Sequence, residues 1–444
     1  MGTTMTALRE RAWIPETSER LIRSVAGTVA AAEPEATRGR LAELIAENRA
    51  IHERIALNLN PASNVMNPAA EAVLAQGLGT RASLGYPADK YEMGLEAIEQ
   101  IEIITAELAA EIFAAPFVEI RVPSGSIANL YAFMATTRPG EIIIAPPAEI
   151  GGHVTHHDVG AAGLVGAITR PAPVDPANYT IDVAALRTEA KRLHPKLITI
   201  GGSLNLFHHP VREIRAIADE VGAFVLFDAA HLSGMIAGHA WPDPLAEGAH
   251  IMTMSTYKSL GGPPTGLIMT TEPELARRIE AIAHPGLTAN FDVAKSAALA
   301  ITLLDWKRHG RAYAAAMQET ARALADALIE RGLPVFAADR GATCSHQLAV
   351  EAAQFGGGQR AAGRLRAANL LTSGIGLPIQ PVPSDLNGLR LGTPEIARWG
   401  MAPAEMPELA DYIARALHIS ANSDALAREV SAFRQRFTQI RFIN

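Results

Sequence analysis

Short apolar runs alternate with amphipathic stretches through the middle of the chain. The runs at residues 117–122, 141–145, 196–200, 223–227, 250–254 and 266–269 are largely apolar along their length rather than alternating in polarity. Such runs predict strands buried on both faces of a mostly parallel sheet. Between them, apolar residues at helical spacing predict helices over 127–136, 183–193 and 211–221. The alternation predicts an α/β domain with helices on both sides of the sheet. Upstream, residues 35–57 read as a helix. Residues 92–114 read as another, with Ile98, Ile101, Ile104 and Leu108 on one face. Asn58 to Pro68 carries two prolines and four asparagines and reads as a loop. Amphipathic helices at 293–308 and 312–330 lead out of the domain. Beyond them, 345–351, 359–369 and 388–392 suggest a smaller α+β domain, covered by helices at 406–416 and 422–437. The expected division is an N-terminal helical arm (1–57), a large domain (58–308) and a small C-terminal domain (309–444).

Composition narrows the class. At 444 residues the chain is long for one core, so two or three domains are expected. A net charge of −7 with no Lys/Arg cluster argues against a nucleic-acid partner. The single cysteine, Cys344, rules out a disulfide framework and a cysteine-based metal site, and fits a reducing compartment. No apolar run approaches the roughly 20 residues of a spanning helix. The early residues, with Glu10, Glu16 and Glu19, lack a basic-then-apolar leader. No membrane partner and a cytoplasmic location are therefore expected.

Two segments carry candidate chemistry. Phe227-Asp228-Ala229-Ala230-His231 closes one apolar run, and Ser255-Thr256-Tyr257-Lys258-Ser259 follows the next. In α/β sheets, strand ends of this kind are where ligands bind. An Asp to pair with a pyridinium nitrogen and a Lys to hold an aldehyde as a Schiff base are what pyridoxal phosphate chemistry needs from a protein. Pro123-Ser124-Gly125-Ser126-Ile127-Ala128-Asn129 follows a strand and opens a helix. Small residues there let backbone N–H groups approach a phosphate, and the helix dipole favours the anion. The alternative is an ordinary serine cap. Gly151-Gly152-His153-Val154-Thr155-His156-His157 lacks the spacing of a zinc site, and no metal is expected. His153, preceded by glycines, suits stacking on a flat cofactor ring, whereas His156 and His157 read as solvated loop residues. Ser203 ends the run at 196–200, within reach of the cofactor's ring hydroxyl or of nothing in particular. Arg390 lies within the apolar, glycine-flanked segment Gly388-Leu389-Arg390-Leu391-Gly392. A buried guanidinium needs an anion, either a substrate carboxylate or an internal salt-bridge partner.

In order along the chain, these segments resemble serine hydroxymethyltransferase, a fold-type I pyridoxal phosphate enzyme. The likeness runs from about Leu57 to the end. It rests on Gly85-Tyr86-Pro87 with Lys90-Tyr91 and on the stretches 123–129, 151–156, 228–238, 256–262 and 389–400. The resemblance implies a large cofactor-binding domain in which Lys258 is the Schiff-base lysine and Asp228 the pyridinium partner. It implies that His153 stacks on the ring and that Ser124, Gly125 and Ser126 hold the phosphate. It further implies that Ser203, His231 and Ser255 line the cofactor and that Arg390 binds the substrate carboxylate.

The departures concern folate. Leu84 stands where the family carries a Glu used in the folate-linked step. Ser373-Gly374-Ile375 stands where an Asn-Lys-Asn helps seat folate. Tyr257 replaces a His before the lysine. Tyr91-Glu92-Met93-Gly94 replaces Tyr-Tyr-Gly-Gly and brings a carboxylate near the expected substrate. The Gly-rich loop that a neighbouring subunit lends to the phosphate reads here as Pro285-Gly286-Leu287-Thr288-Ala289-Asn290-Phe291. The expected activity is a folate-independent aldolase or transaldolase that takes an amino-acid substrate and an aldehyde. Substrates of threonine, phenylserine or 2-methylserine type fit. Glu92, His153 and a water are the candidate bases, and Tyr91 and Glu92 are the substrate-side residues. Folate-dependent hydroxymethyl transfer is the first alternative, followed by another pyridoxal phosphate reaction such as transamination, or an inactive cofactor-binding protein. The resemblance also implies a homodimer or dimer of dimers with shared sites.

Overall fold

Strands that are covered by helices on both faces have no wet side, and seven strands, the central ones of this kind, form one sheet between residues 117 and 270. The computed structural model describes residues 6–418 and 423–444. Strands β1 (Phe117–Glu119), β2 (Ile142–Ala145), β3 (Ile168–Pro171), β4 (Leu197–Ile200), β5 (Phe224–Asp228), β6 (Ile251–Ser255) and β7 (Gly266–Thr270) pair in the order β1-β7-β6-β5-β4-β2-β3. Within this sheet only β7 runs antiparallel to its neighbours. Every residue of β4, β6 and β7 is buried. Successive residues of one strand enter different cores. Val225 and Phe227 join one cluster with Ile198, Ile200 and Ile214. Leu226 joins the other with Leu197, Ile143 and Ile251. β3, short and at the sheet edge with three of its four residues exposed, lacks the apolar pattern that marks the other six.

Met1–Ala56 forms one compact unit and Leu57–Asn444 a second. The first holds α1 (Glu16–Ala31) and α2 (Pro34–Ala50), the latter running on into an irregular turn at Ile51–Ile55. In the second, Asn58 is not in a loop, because Leu57–Asn58 pairs in parallel with Leu370–Leu371 and Leu57 is fully buried. The helix expected from residue 92 is α3 (Glu96–Phe113), since the chain bends at Gly94 with φ +82°. Helices α4 (Gly125–Thr136), α5 (Val183–Leu193) and α6 (Val211–Val221) flank the sheet.

The two helices expected at 293–308 and 312–330 are one, α7 (Val293–Glu330), which also runs through the 308/309 boundary. Gly310 stays helical because it is packed: a Cβ there would sit 2.9 Å from Trp306. A three-stranded antiparallel sheet follows, with β8 (Gln347–Glu351), β9 (Ser373–Ile375) and β10 (Gly388–Gly392) in the order β8-β10-β9. Helices α8 (Gly358–Ala367), α9 (Met406–His418) and α10 (Ser423–Arg434) complete the unit. The start expected at Asn422 lies outside the described residues. Among the described residues no helix is long and apolar enough to cross a membrane.

Candidate active site

Parallel pairing brings the carboxyl ends of β5 and β6 to one edge of the sheet, with Asp228 in register with Thr253. Asp228 is buried, and its carboxylate is held from three directions. Oδ2 accepts from His156 Nε2 and from Asn129 Nδ2, each at 2.9 Å, and Oδ1 accepts from the Ala230 N–H at 2.9 Å. A carboxylate has about four lone-pair positions, so Oδ1 keeps one for a further donor. Burial opposes the charge, yet the His156 and Asn129 hydrogen bonds, with the nearby His153, hold the carboxyl well below the usual range. Asp228 therefore stays ionised.

His156 is not solvated. It is 1% exposed, bonds Thr199 Oγ1 through Nδ1 at 2.9 Å, and meets Phe133 edge-on. The glycine-rich loop tucks this ring beneath Asp228, a placement that local sequence does not display. His157, half-buried, bonds the carbonyl of Pro146 at 3.1 Å. Asn129 donates to Thr155 Oγ1 (3.0 Å) and accepts from Thr253 Oγ1 (2.7 Å). His153 in turn bonds Thr155 through Nδ1 at 2.9 Å, and burial pulls its basicity down.

Lys258 follows β6 on a turn whose backbone is pinned. Its carbonyl accepts from Gly261 N–H (2.9 Å) and Asn64 Nδ2 (3.1 Å). The side chain is buried, and burial draws the ammonium down to about 8; Asp228 works against this and Arg390 with it. Nζ lies 3.3 Å from His231 Nε2. Arg390 is 7% exposed and has no carboxylate partner among the described residues. Its guanidinium bonds the Ser203 carbonyl and Ser373 Oγ, with Asn60 Oδ1 at 3.5 Å. The internal salt bridge is thus ruled out, and burial without an anion brings Arg390 down to about 10. Ser373, expected at a folate contact, instead holds this guanidinium.

The first turn of α4 comes close to the end of β6. A Cβ on Gly125 would lie 2.1 Å from Ser255 Oγ, so only glycine permits the approach. Ser124 Oγ accepts from Ile127 N–H at 3.3 Å and caps the helix. Ser126 is exposed. Gly125, Ser126, Asn129, His153, Ser203, Asp228, His231, Ser255, Tyr257 and Lys258 line one cavity, while Ser124 and Arg390 stand just outside it. Backbone N–H groups at a helix start, an ionised acid, a buried amine and a flat imidazole form a donor set that fits pyridoxal phosphate.

Tyr91 and Glu92 are not brought to this cavity. Tyr91 is 79% exposed, and among the described residues Glu92 accepts from the Leu84 N–H, at 3.4 Å. The hairpin that pairs Gly85–Tyr86 with Asp89–Lys90, which they follow, lies against residues 284–291: Tyr86 meets His284 edge-on, and the N–H of Ser83, just before the hairpin, donates to Asn290 Oδ1 (3.3 Å). Neither segment reaches the cavity of its own chain.

The family model of serine hydroxymethyltransferase matches residues 36–413. The chain belongs to the serine hydroxymethyltransferase family. Its members are fold-type I enzymes that depend on pyridoxal phosphate, and the large, mostly parallel sheet with its helices agrees with that architecture. An alpha-methylserine aldolase of Variovorax paradoxus is 62% identical over 437 residues, 98% of this chain and 99% of its own. One from a Ralstonia species is 54% identical over 436 residues, 98% and 100% of the two chains. A serine hydroxymethyltransferase of Pyrobaculum aerophilum is 37% identical over 403 residues, 90% and 94% of the two chains.

Proposed function

We propose that this enzyme cleaves, and in reverse forms, the Cα–Cβ bond of 2-methylserine-type β-hydroxy-α-amino acids, with pyridoxal phosphate and without tetrahydrofolate. The observation that carries the reading is the meeting of a buried amine (Lys258) and a buried carboxylate (Asp228) on one cavity, with a guanidinium that has no carboxylate partner among the described residues (Arg390) just beside it, 3.5 Å from His231 Nε2. The relatives named alpha-methylserine aldolase point to the substrate.

Lys258 would hold the cofactor's aldehyde, Asp228 its ring nitrogen, and the start of α4 with Gly125 and Ser126 its phosphate. His153 would lie on the ring, with Ser203, His231 and Ser255 around it. Pyridoxal phosphate, when bound, supplies a ring that takes up the electron pair of the broken bond. Asp228, ionised in its pocket, would keep that capacity by holding the ring nitrogen protonated. Arg390 orients the substrate carboxylate. A base (His153, Glu92 of a neighbouring chain, or a water) takes the β-hydroxyl proton as the aldehyde leaves. A proton returned to Cα then completes alanine from 2-methylserine, with formaldehyde as the other product. Capture of a second aldehyde gives transaldolation instead. A homodimer or dimer of dimers would bring Tyr91, Glu92 and residues 285–291 to the cavity of a second copy.

Aldehyde release from 2-methylserine, threonine and phenylserine, measured with and without tetrahydrofolate, tests the reading. Cleavage of 2-methylserine unaffected by folate is the expected result. Strict folate dependence with serine as best substrate would make the enzyme a hydroxymethyltransferase. In the same assay Arg390→Ala should raise KM for 2-methylserine about 10- to 100-fold, the worth of hydrogen bonds to a charged group. Cofactor binding should change little. An unchanged KM would show that the carboxylate binds elsewhere.

A further inference from the structure

Gln347, at the start of β8, opens the buried apolar run Leu348-Ala349-Val350 and is itself fully buried. Two backbone groups fix which way its amide points. The Asn205 N–H donates to Oε1 at 3.0 Å, and the Ser203 carbonyl accepts from Nε2 at 3.0 Å. A backbone N–H cannot accept and a carbonyl cannot donate, so the amide cannot flip. The other Nε2 hydrogen faces His231 Nδ1 at 3.4 Å. Nδ1 must then be the unprotonated nitrogen, and the single ring proton of neutral His231 sits on Nε2.

On that side Nε2 faces Lys258 Nζ at 3.3 Å and Arg390 Nη1 at 3.5 Å. Arg390 has no lone pair to offer, and its Nη1 donates to the Ser203 carbonyl. An ammonium has none either. A neutral amine has one, and only a neutral amine adds to a carbonyl carbon.

We propose that Gln347 is a positioning residue that sets the tautomer of His231 and, through it, holds the Lys258 amine in its neutral, nucleophilic form. The surrounding charges leave room for this control. Lys258, Arg390, His346 and His153 all disfavour charge on His231, which is already suppressed by burial. Burial and Arg390 disfavour charge on Lys258, and Asp228 favours it. A donor to Nζ from Nε2 opposes Asp228. The proposal rests on the reading of Lys258 as the reactive amine.

The test uses the full-length protein freed of bound carbonyl compounds with hydroxylamine. Long-range proton–nitrogen spectra of histidine-labelled protein, with His231→Gln to assign the signal, read the tautomer in the wild type. Competitive acetylation across a pH series, followed by peptide mass spectrometry, reads the apparent pKa of Lys258. The expected results are a proton on His231 Nε2 and a Lys258 pKa that rises by about one unit in Gln347→Met, the scale of one lost hydrogen bond. In Gln347→Glu, whose carboxylate would draw a proton to Nδ1, it should rise at least as far. A wild-type His231 protonated on Nδ1 overturns the proposal whether or not the variants fold. So does a Lys258 pKa that is unchanged or lower in both. If hydroxylamine releases no carbonyl compound while tautomer and titration come out as expected, the cofactor role of Lys258 falls and the tautomer control stands.

Discussion

Replacing Lys258 with alanine is expected to cut 2-methylserine cleavage by at least about three orders of magnitude, or about 4 kcal/mol of barrier. The side chain is buried beside His231 and draws its reactivity from a depressed ammonium. No other lysine lines the cavity, so nothing replaces it as a nucleophile. Borohydride reduction of the wild type followed by peptide mapping should find the pyridoxyl group on Lys258; recovery on another lysine would refute the assignment. The same variant tests the shared site. Mixed with a Glu92→Ala chain, it should regain activity at roughly a quarter of the sites by random pairing of a two-fold dimer. A mixture as inactive as its parts, or a monomer in sedimentation, would leave Glu92 without a role in catalysis.

Asp228→Asn should retain cofactor but lose about 2–4 kcal/mol of transition-state stabilisation, roughly 30- to 1,000-fold in turnover. An amide is neutral and cannot hold a ring nitrogen in its protonated form. The loss should differ from a packing defect, because Asn is isosteric; its single oxygen can accept on one of the two sides the carboxylate serves, from Ala230 or from Asn129. Turnover and cofactor absorbance measured on the same sample separate the two. Wild-type turnover would remove Asp228 from the ring nitrogen. His156 bears on the same charge: it supplies a hydrogen bond to Oδ2 that the carboxylate needs in order to stay ionised while buried.

Much of the architecture was legible in residue order. Six of the seven large-sheet strands announce themselves because a strand buried in such a sheet must be largely apolar. Asp228 and Lys258 were legible for the same reason, each a charged residue just past a run that admits none. Arg390 was legible as a cation in an apolar strand. The same signal was present at Gln347, a polar residue opening Leu348-Ala349-Val350, and a closer reading of it would have drawn that residue into the site. The edge strand β3 gave no such signal, since three of its residues face outward.

What only the tertiary structure decided is which of several equivalent polar residues meet. His153, His156 and His157 sit in one loop, and nothing local distinguishes a ring that lines the cavity from one that holds Asp228 from below. That depends on where β4 places Thr199 and where α4 places Asn129. Ser373 and Arg390 meet because β9 and β10 pair in that register. Ser203 gathers Arg390 and Gln347 through its carbonyl, a contact no side-chain pattern encodes. Periodicity reports burial, which each residue carries by itself. Hydrogen-bond partnership joins residues far apart in the chain, and only the packed fold brings them within reach.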